Sequence, residues 1–143
     1  MNDLEAIDQL IAAFMGVFSN QGGARPRLEL IRELFIEEGL IIKNSGPAPE
    51  VCGLEAFIRP RERILSDGTL TDFEEHEESA RTLVFGNIAQ RVAVYSKSGI
   101  LSGRPFRTRG VKTTQLVRTP GGWRISALAW DDEREGFAVP AGL

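Results

Sequence analysis

The sequence contains few of the residues that usually build metal sites and cross-links. Among its 143 residues there is one cysteine, Cys52, and one histidine, His76. An intrachain disulfide and any site that needs two imidazoles are therefore excluded. The chain also has no phosphate-binding Gly-x-x-x-x-Gly-Lys-Ser/Thr loop and no Gly-x-Gly-x-x-Gly turn. We expect that no metal ion and no cofactor is required.

Long apolar runs and a large excess of charge of one sign are also missing. The most apolar stretch, residues 10–18, has Gly16 within it, whereas a membrane helix needs about twenty apolar residues. The first eight residues carry three acids and no basic group, which does not fit a secretory signal. The net charge is only -3, which gives no reason to expect tight binding to nucleic acid. We expect a cytoplasmic protein that binds neither membranes nor nucleic acid.

What is present is typical of one globular domain. Apolar residues make up 42% of the chain and charged residues 26%, close to the averages for soluble domains. A chain of this length can bury roughly 70% of its extended surface without cross-links. A single domain over residues 1–143 is predicted.

The spacing of apolar residues predicts three helical segments in the first half of the chain. The first covers residues 3–19, where apolar residues recur every three or four positions, and the second begins at Pro26 and is stopped by Glu37-Glu38-Gly39. A short strand over residues 40–43 follows. The third helical segment, residues 54–65, contains Pro60, which lacks an amide donor, so we expect a break near Arg59.

The second half of the chain has the composition of β-strands. Strands are predicted over residues 71–84, 88–97, 106–119 and 123–132, with turns at residues 86–87 and 120–122. Long strands joined by tight turns form an antiparallel sheet, and the helices must cover one of its faces. The expected fold class is α+β.

Four groups of short motifs follow one another in an order that can be recognised. They are Phe57-Ile-Arg-Pro-Arg with Asp67-Gly; Phe85-Gly-Asn-Ile-Ala leading to Tyr95; Arg109-Gly with Gln115-Leu-Val; and Gly122-Trp-Arg-Ile followed by Ala129-Trp-Asp. Together with the order of elements, they resemble the SnoaL-like branch of the nuclear transport factor 2-like superfamily. The resemblance implies the cystatin-like fold shared with ketosteroid isomerase, a cone-shaped α+β barrel in which a curved antiparallel sheet wraps around amino-terminal helices. Members of that superfamily include isomerases, cyclases, dehydratases, epoxide hydrolases and binding modules without a reaction, so the fold does not select a function.

The resemblance weakens at the position of the isomerase base. In ketosteroid isomerase-like members an aspartate follows, by a few residues, the acidic pair that closes the second helix. Counting forward from Glu37-Glu38, that position falls at Lys43 or Asn44, and neither is a carboxylate. The helical tyrosine that would polarise a carbonyl is also missing, since the only tyrosine is Tyr95. Steroid-type isomerisation is not expected.

The densest polar cluster, residues 72–78, lies on a predicted strand. Strand alternation would place Asp72, Glu74, His76 and Glu78 on one face. There His76 could act as an acid/base group oriented by Glu78, with its pKa raised by the neighbouring carboxylates. The alternative is an edge strand whose charges face solvent and prevent aggregation.

A long basic segment follows this acidic cluster. Residues 79–126 contain nine basic side chains and no acidic one. They could attract an anionic ligand or RNA, but pairing with the acidic strand would cancel the charge, and we favour cancellation. With a two-residue turn at residues 86–87, the expected cross-strand pairs are His76 with Lys97, Glu78 with Tyr95, and Thr82 with Arg91.

These observations favour a small-molecule-binding protein with a polar and aromatic pocket. We expect the pocket to be lined by His76, Tyr95, Gln115 and Trp130, with Phe14 closing its apolar end. The alternatives are a cofactor-independent isomerase, dehydratase or hydrolase with His76 and Glu78 as catalytic residues, and a non-catalytic dimerisation module.

A homodimer is also expected. Three short helices cannot cover both faces of four long strands, and the face left over would carry Val92, Val94, Val111 and Leu128. Monomers rarely expose an apolar patch of that size. We therefore expect two copies to pair through the outer face of the sheet.

Overall fold

A computed structural model describes all of residues 1–143. The helices are α1 (Asp3–Gly16), α2 (Ile31–Leu34) and α3 (Leu54–Ser66), and two 3-10 turns lie at Gln21–Gly23 and Leu28–Leu30. The strands are β1 (Phe35–Lys43), β2 (Glu50–Cys52), β3 (Leu70–Phe85), β4 (Ile88–Leu101), β5 (Arg104–Thr119) and β6 (Gly122–Asp132). The α+β class and the four long strands are confirmed.

All six strands form one curved sheet in the order β2-β1-β6-β5-β4-β3. The pairing is antiparallel except that β1 runs parallel to β6, so the sheet is mixed. The expectation of a purely antiparallel sheet was wrong for this pair of strands. The second predicted helix is also shorter than expected, because the chain is already extended at Phe35. Its apolar residues are buried nonetheless: Leu28, Ile31 and Phe35 are each at most 3% exposed.

The predicted break in the third helix does not occur, and α3 continues through Pro60. A proline inside a helix costs about 3 kcal/mol. Against this cost, α3 buries Leu54, Phe57, Ile58 and Leu65, and full burial of such a side chain contributes about 1.5–3 kcal/mol. Burial of the apolar face therefore outweighs the lost hydrogen bond, and α3 forms one uninterrupted wall over the sheet.

A β-bulge changes the register of the hairpin formed by β3 and β4. From the two-residue turn, the pairing proceeds as predicted through Thr82 with Arg91. The register then shifts between Glu77 and Ser79, so Glu78 is an extra residue without a partner. Beyond it His76 pairs with Ser96, not Lys97, and Glu77 pairs with Tyr95. Because one extra residue reverses the alternation relative to β4, the face that carries Glu74 and His76 is the outer one, and the prediction that it faces the pocket was wrong.

A second bulge acts in the same way in β6. Leu116 pairs with Ile125 and Gln115 with Ala127, which leaves Ser126 as the extra residue. Ile125 and Leu128, on the two sides of this bulge, therefore both belong to the buried core. The prediction that Leu128 lies on the outer face was wrong for this reason.

The core lies between the helices and the concave face of the sheet. Helix α1, capped by Asn2, contributes Ile7, Ile11, Phe14 and Met15. Phe14 makes edge-to-face contacts with Phe18 and Phe35 at centroid distances of 5.4 and 5.5 Å. This packing fixes the helices over one end of the sheet and leaves a cavity between α3, α1 and the long strands.

Residues after β6 lie against the outer face of the sheet. The Glu133 amide donates to the Arg109 carbonyl oxygen at 2.8 Å, and the Ser79 hydroxyl donates to the Leu143 carbonyl oxygen at 3.0 Å. Val94 is only 3% exposed, whereas Val92 and Val111 are half-buried. The outer face is therefore less open than the sequence suggested.

Candidate ligand-binding site

The main candidate site is a cavity of about 340 Å³ inside the cone. Its volume lies in the range of natural small-molecule sites. Most of its lining is apolar, and six of the lining side chains are aromatic: Phe14, Phe18, Phe57, Phe73, Phe106 and Trp130. Such a wall favours a flat apolar molecule.

Six ionisable side chains interrupt this apolar wall. Two are acidic, Glu75 and Asp132, and four are basic, Lys43, Arg61, Lys97 and Lys112. The acidic groups each have a lysine partner: Lys112 donates to Glu75, and the Lys97 Nζ lies 3.1 Å from an Asp132 oxygen. With all six groups charged, the lining has a surplus of two positive charges.

Lys112 of β5 and Glu75 of β3 form a buried ion pair across β4, the strand that lies between them. Their side chains are only 8% and 7% exposed. The Lys112 Nζ lies 4.5 Å from the Tyr95 ring centroid and 3.7 Å from the Met15 Sδ. Burial lowers the pKa of Lys112, and the Glu75 carboxylate acts in the opposite direction. The carboxylate is therefore the main group that keeps this amine charged.

Tyr95 connects this pair to the second one. Its hydroxyl donates to the Asp132 carboxylate and to the Asp131 carbonyl oxygen, the latter at 3.1 Å. Burial, assisted by Asp132, raises the pKa of Tyr95 above its ordinary value. The phenol thus stays protonated and holds Asp132 in place as a hydrogen-bond donor.

The residue opposite Tyr95 must be glycine for this contact to form. Gly110 pairs with Tyr95 in β5 and β4. A Cβ atom at Gly110 would collide with the Tyr95 hydroxyl and the Asp131 carbonyl oxygen. The Arg109-Gly110 motif of the sequence therefore has a steric role beside the cavity.

Arg61 differs from the lining lysines Lys97 and Lys112 because its guanidinium contacts aromatic rings and not a carboxylate. Its guanidinium carbon lies 3.8 Å from the Phe57 ring centroid and 5.9 Å from that of Trp130. Its one hydrogen bond within the protein runs from Nη1 to the Phe57 carbonyl oxygen at 3.2 Å, and no carboxylate lies within 4 Å. Burial lowers the pKa of Arg61. Nearby, the Trp130 Nε1 is buried without a hydrogen-bond partner.

The structure brings only some of the predicted ligand-binding residues to the cavity. Phe14 and Trp130 line it. Tyr95 is fully buried behind the wall and acts through Asp132. Gln115 lies on the opposite face of β5, exposed, with its amide nitrogen 3.5 Å from the Gln90 side-chain oxygen. Gln115 alternates with the buried Thr114 and Leu116, so the prediction that it faces the pocket was wrong.

His76 and Glu78 do not face the cavity. The His76 side chain is 53% exposed, and its Nδ1 lies 3.3 Å from a Glu74 oxygen. Glu78 pairs with Arg109 at 2.9 Å on the outer side of the sheet. The predicted pocket position was therefore wrong for both, because the bulge at Glu78 turns Glu75 inward and His76 outward. The catalytic roles predicted for this pair depended on that position.

The charges of the acidic strand are largely balanced by the basic strands. Besides Glu75 and Glu78, Glu77 accepts two hydrogen bonds from Arg91, at 2.6 and 3.0 Å. The Arg91 side chain is only 7% exposed and also binds Asp8 at 2.8 Å. These contacts cancel charge across the strands. This is the outcome that we favoured from the sequence over a nucleic-acid surface.

Sequence reasoning did not identify Glu75, Arg61, Lys97, Lys112 or Asp132 as site residues. Two of them carried a usable signal. Lys112 lies four residues from Leu116 in a strand, and Arg61 lies four residues from both Phe57 and Leu65 in a helix, so each shares a face with core residues. The position of Glu75 could not be derived, because it depends on the bulge.

Comparisons with known proteins give information on the fold. No sequence-family model and no curated protein matches the chain. A nuclear transport factor 2-like superfamily protein from Salmonella enterica serovar Typhimurium matches its structure with a TM-score of 0.74 and 17% identity, over 97% of this chain and 96% of that chain. This chain has the nuclear transport factor 2-like fold. The resemblance seen in the sequence is thereby confirmed for the fold.

Other proteins with the nuclear transport factor 2-like fold are similarly distant in sequence. One from Novosphingobium aromaticivorans, described as having a cystatin-like fold, matches with a TM-score of 0.66 and 23% identity, over 90% of this chain and 80% of that chain. A candidate calcium/calmodulin-dependent kinase II association domain from Exiguobacterium sibiricum matches with a TM-score of 0.72 and 10% identity, over 94% and 95% of the two chains. At such identities the matches describe shape and not chemistry.

Two further observations concern membranes and metals. None of the helices is both long and apolar enough to cross a membrane. No three side chains of His, Cys, Asp or Glu converge in a way that could hold a metal ion. The expected cytoplasmic location stays a prediction.

Proposed function

We propose that the protein binds a small, flat organic molecule in the cavity of the cone. The observation that carries this proposal is the largely aromatic lining of a space of about 340 Å³. Protein cores are normally packed without such voids. A cavity left open between well-packed helices and strands supports a role in holding a ligand.

The polar groups of the wall support selective binding over simple partition into an apolar space. Ligand sites combine an apolar surface with a few fixed polar groups that orient the ligand. Here Lys97 and Lys112 are held by Asp132 and Glu75, and Asp132 is held in turn by Tyr95. The proposal does not extend to catalysis by His76, whose side chain lies outside the cavity.

Filling the cavity should weaken binding. Thr108 lines the cavity from β5, and Thr113 of the same strand is exposed outside it. Thr108→Phe is expected to weaken the binding of one- and two-ring aromatic probes at least about tenfold, a loss of about 1.4 kcal/mol. Thr113→Phe adds the same ring outside the cavity and should leave affinity unchanged.

Fluorescence offers a direct readout of this experiment. The chain has two tryptophans, and Trp123→Phe leaves Trp130, in the cavity wall, as the only reporter. Titration of this background with naphthalene-based probes should quench or shift the Trp130 emission. The proposal fails if no probe binds more tightly than about 1 mM, or if the two threonine variants behave alike.

A second proposal concerns assembly. Half-buried Val92 and Val111 lie on the outer face, and Leu83, Phe85 and Ile88 at the end of the β3–β4 hairpin are 63%, 84% and 58% exposed. Exposed apolar groups in one region favour association. The name of the Exiguobacterium sibiricum neighbour also refers to association. These observations support a homodimer formed through this face.

Light scattering checks the assembly. We expect a particle of twice 15.8 kDa, the mass of one chain. Val92→Lys should shift it toward the mass of one chain, because it places a second cation beside the cross-strand neighbour Arg81, and burying an unpaired charge is unfavourable. A single species of 15.8 kDa in the unmodified protein would contradict the dimer.

A further inference from the structure

The cations of the cavity wall are not equally satisfied. Lys112 and Lys97 each contact a carboxylate, Glu75 and Asp132 respectively. Arg61 and Lys43 line the same cavity, and neither has a carboxylate within 4 Å. Glu50, the cross-strand partner of Lys43, is exposed and is not part of the cavity lining. The two lining cations without a direct ionic partner are therefore Arg61 and Lys43.

Both side chains lie beside Trp130. Lys43 is the cross-strand partner of Trp130 in the parallel pairing of β1 with β6. Arg61 approaches from α3, with its guanidinium carbon 5.9 Å from the Trp130 ring centroid. The unpaired positive charges are thus concentrated at one end of an otherwise aromatic cavity.

The guanidinium of Arg61 is held in a fixed orientation, with donors to spare. It stacks over the Phe57 ring at 3.8 Å, and only Nη1 has a hydrogen-bond partner within the protein. A guanidinium has five N–H donors arranged as a planar fork, which matches the two oxygens of a carboxylate. Stacking restrains the plane of this fork, so little further ordering is needed when an acid group binds.

The energetic cost of this arrangement points to an anion. A partly desolvated charge without a direct partner is unfavourable. Burial lowers the pKa of Arg61 in agreement with that cost, and the nearby Glu50 carboxylate offsets it only in part. An acid group entering the cavity would supply the missing partner and an acceptor for unused donors. An uncharged ligand would leave both positive charges unpaired.

We propose that the ligand is an aromatic or similarly flat organic acid, whose carboxylate is bound by Arg61 and Lys43 while its ring lies among the aromatic side chains of the cavity. This inference rests on the proposed function, since it names the chemical class of the molecule held in the same cavity. The experiment must therefore separate a preference for anions from binding itself.

Two probes of nearly the same shape provide that separation. Naphthalene-2-carboxylate and naphthalene-2-carboxamide share one ring system and differ in charge. Calorimetric titration of the unmodified protein should show that the acid binds at least about tenfold more tightly than the amide, as expected for a charge-assisted hydrogen bond. This comparison needs no variant, so it is independent of any effect of mutation on folding.

Variants then assign the preference to particular side chains. Arg61→Gln should remove most of the difference between the acid and the amide, and Lys43→Gln should reduce it. Arg63→Gln is the matched control, because Arg63 is on the same helix, is exposed and does not line the cavity. Circular dichroism and thermal melting of each variant check that the fold is retained.

Each result has a distinct meaning. Equal affinity for both probes in the unmodified protein overturns the inference and leaves the proposed function standing. Failure of both probes to bind overturns the inference together with the proposed function. A preference for the acid that survives Arg61→Gln and Lys43→Gln, or that falls equally in Arg63→Gln, overturns the assignment to Arg61 and Lys43.

Discussion

Lys112 and Glu75 illustrate at the residue scale what a charged group needs in order to lie in an apolar wall. Each is almost fully buried, and each is the ionic partner of the other. Removing one member of such a pair leaves an uncompensated buried charge, which typically costs about 3–5 kcal/mol. Replacing both members by apolar groups leaves no uncompensated charge, so it should cost less than replacing either one alone.

A double-mutant cycle tests this account of the pair. Lys112→Met alone should lower the free energy of unfolding by about 3 kcal/mol, and Glu75→Leu alone by a similar amount. The double variant should lose less than either single variant. Chemical denaturation measures all four proteins, and losses that simply add would show that the two groups do not act as a pair.

The same lysine predicts a pH dependence. Because burial lowers the pKa of Lys112 in the folded protein below its ordinary value of 10.5, the unfolded chain binds more protons in the interval between the two values. The Lys112 contribution to stability should therefore rise as the pH increases through that interval toward 10.5. The difference in unfolding free energy between the unmodified protein and Lys112→Met isolates this contribution, and a difference that shrinks as the pH rises would contradict it.

Tyr95 offers an independent test, because it is the only tyrosine in the chain. Burial and the Asp132 carboxylate raise the pKa of its hydroxyl above 10.0, the ordinary value. Tyrosinate absorbance in the native protein should therefore appear only at higher pH than in the unfolded chain. Since the folded state holds this proton more tightly, the Tyr95 contribution to stability is lost as the pH rises past 10.0. Coincident titration of the folded and unfolded protein would show that the hydroxyl is not held as described.

At the scale of elements, two bulges decide which side chains reach the cavity. Strand lengths and turns were predictable, since Gly86-Asn87 and Pro120-Gly121 are strong turn signals. The extra residues Glu78 and Ser126 carry no comparable signal in a single sequence. His76 and Leu128 were therefore placed on the wrong face, although their strands were predicted correctly.

Helix α3 shows the opposite kind of error, in which a local signal was overruled by packing. Pro60 is exposed, so its ring contributes little to the core. Pro60→Ala should raise the free energy of unfolding by about 1–3 kcal/mol, because it restores a helical hydrogen bond and removes a steric clash. Arg59→Ala, an exposed neighbour on the same helix, is the control and should change stability little. A Pro60→Ala protein that is less stable than the unmodified one would mean that α3 depends on the proline.

At the scale of the whole molecule, the order of helices and strands was enough to recognise the cone-shaped fold. The wall of the cavity was only partly predictable. Phe14 follows from the apolar periodicity of the first helix, and Trp130 from its position near the end of the last strand. Arg61 and Lys112 belong to helix and strand faces that also carry core residues. Glu75 and His76 depend on register, which no local pattern fixes. The unpaired charge of Arg61 emerges only when three elements, α3, β1 and β6, come together around Trp130.

The central claim is that the cone binds a flat organic acid in its cavity, and a crystal structure of the protein soaked with naphthalene-2-carboxylate tests it most directly. We expect density for the rings inside the cavity, against its aromatic side chains, with both carboxylate oxygens within hydrogen-bond distance of the Arg61 guanidinium. At a probe concentration that saturates binding in solution, an empty cavity with the probe bound on the outer face of the sheet would contradict the claim.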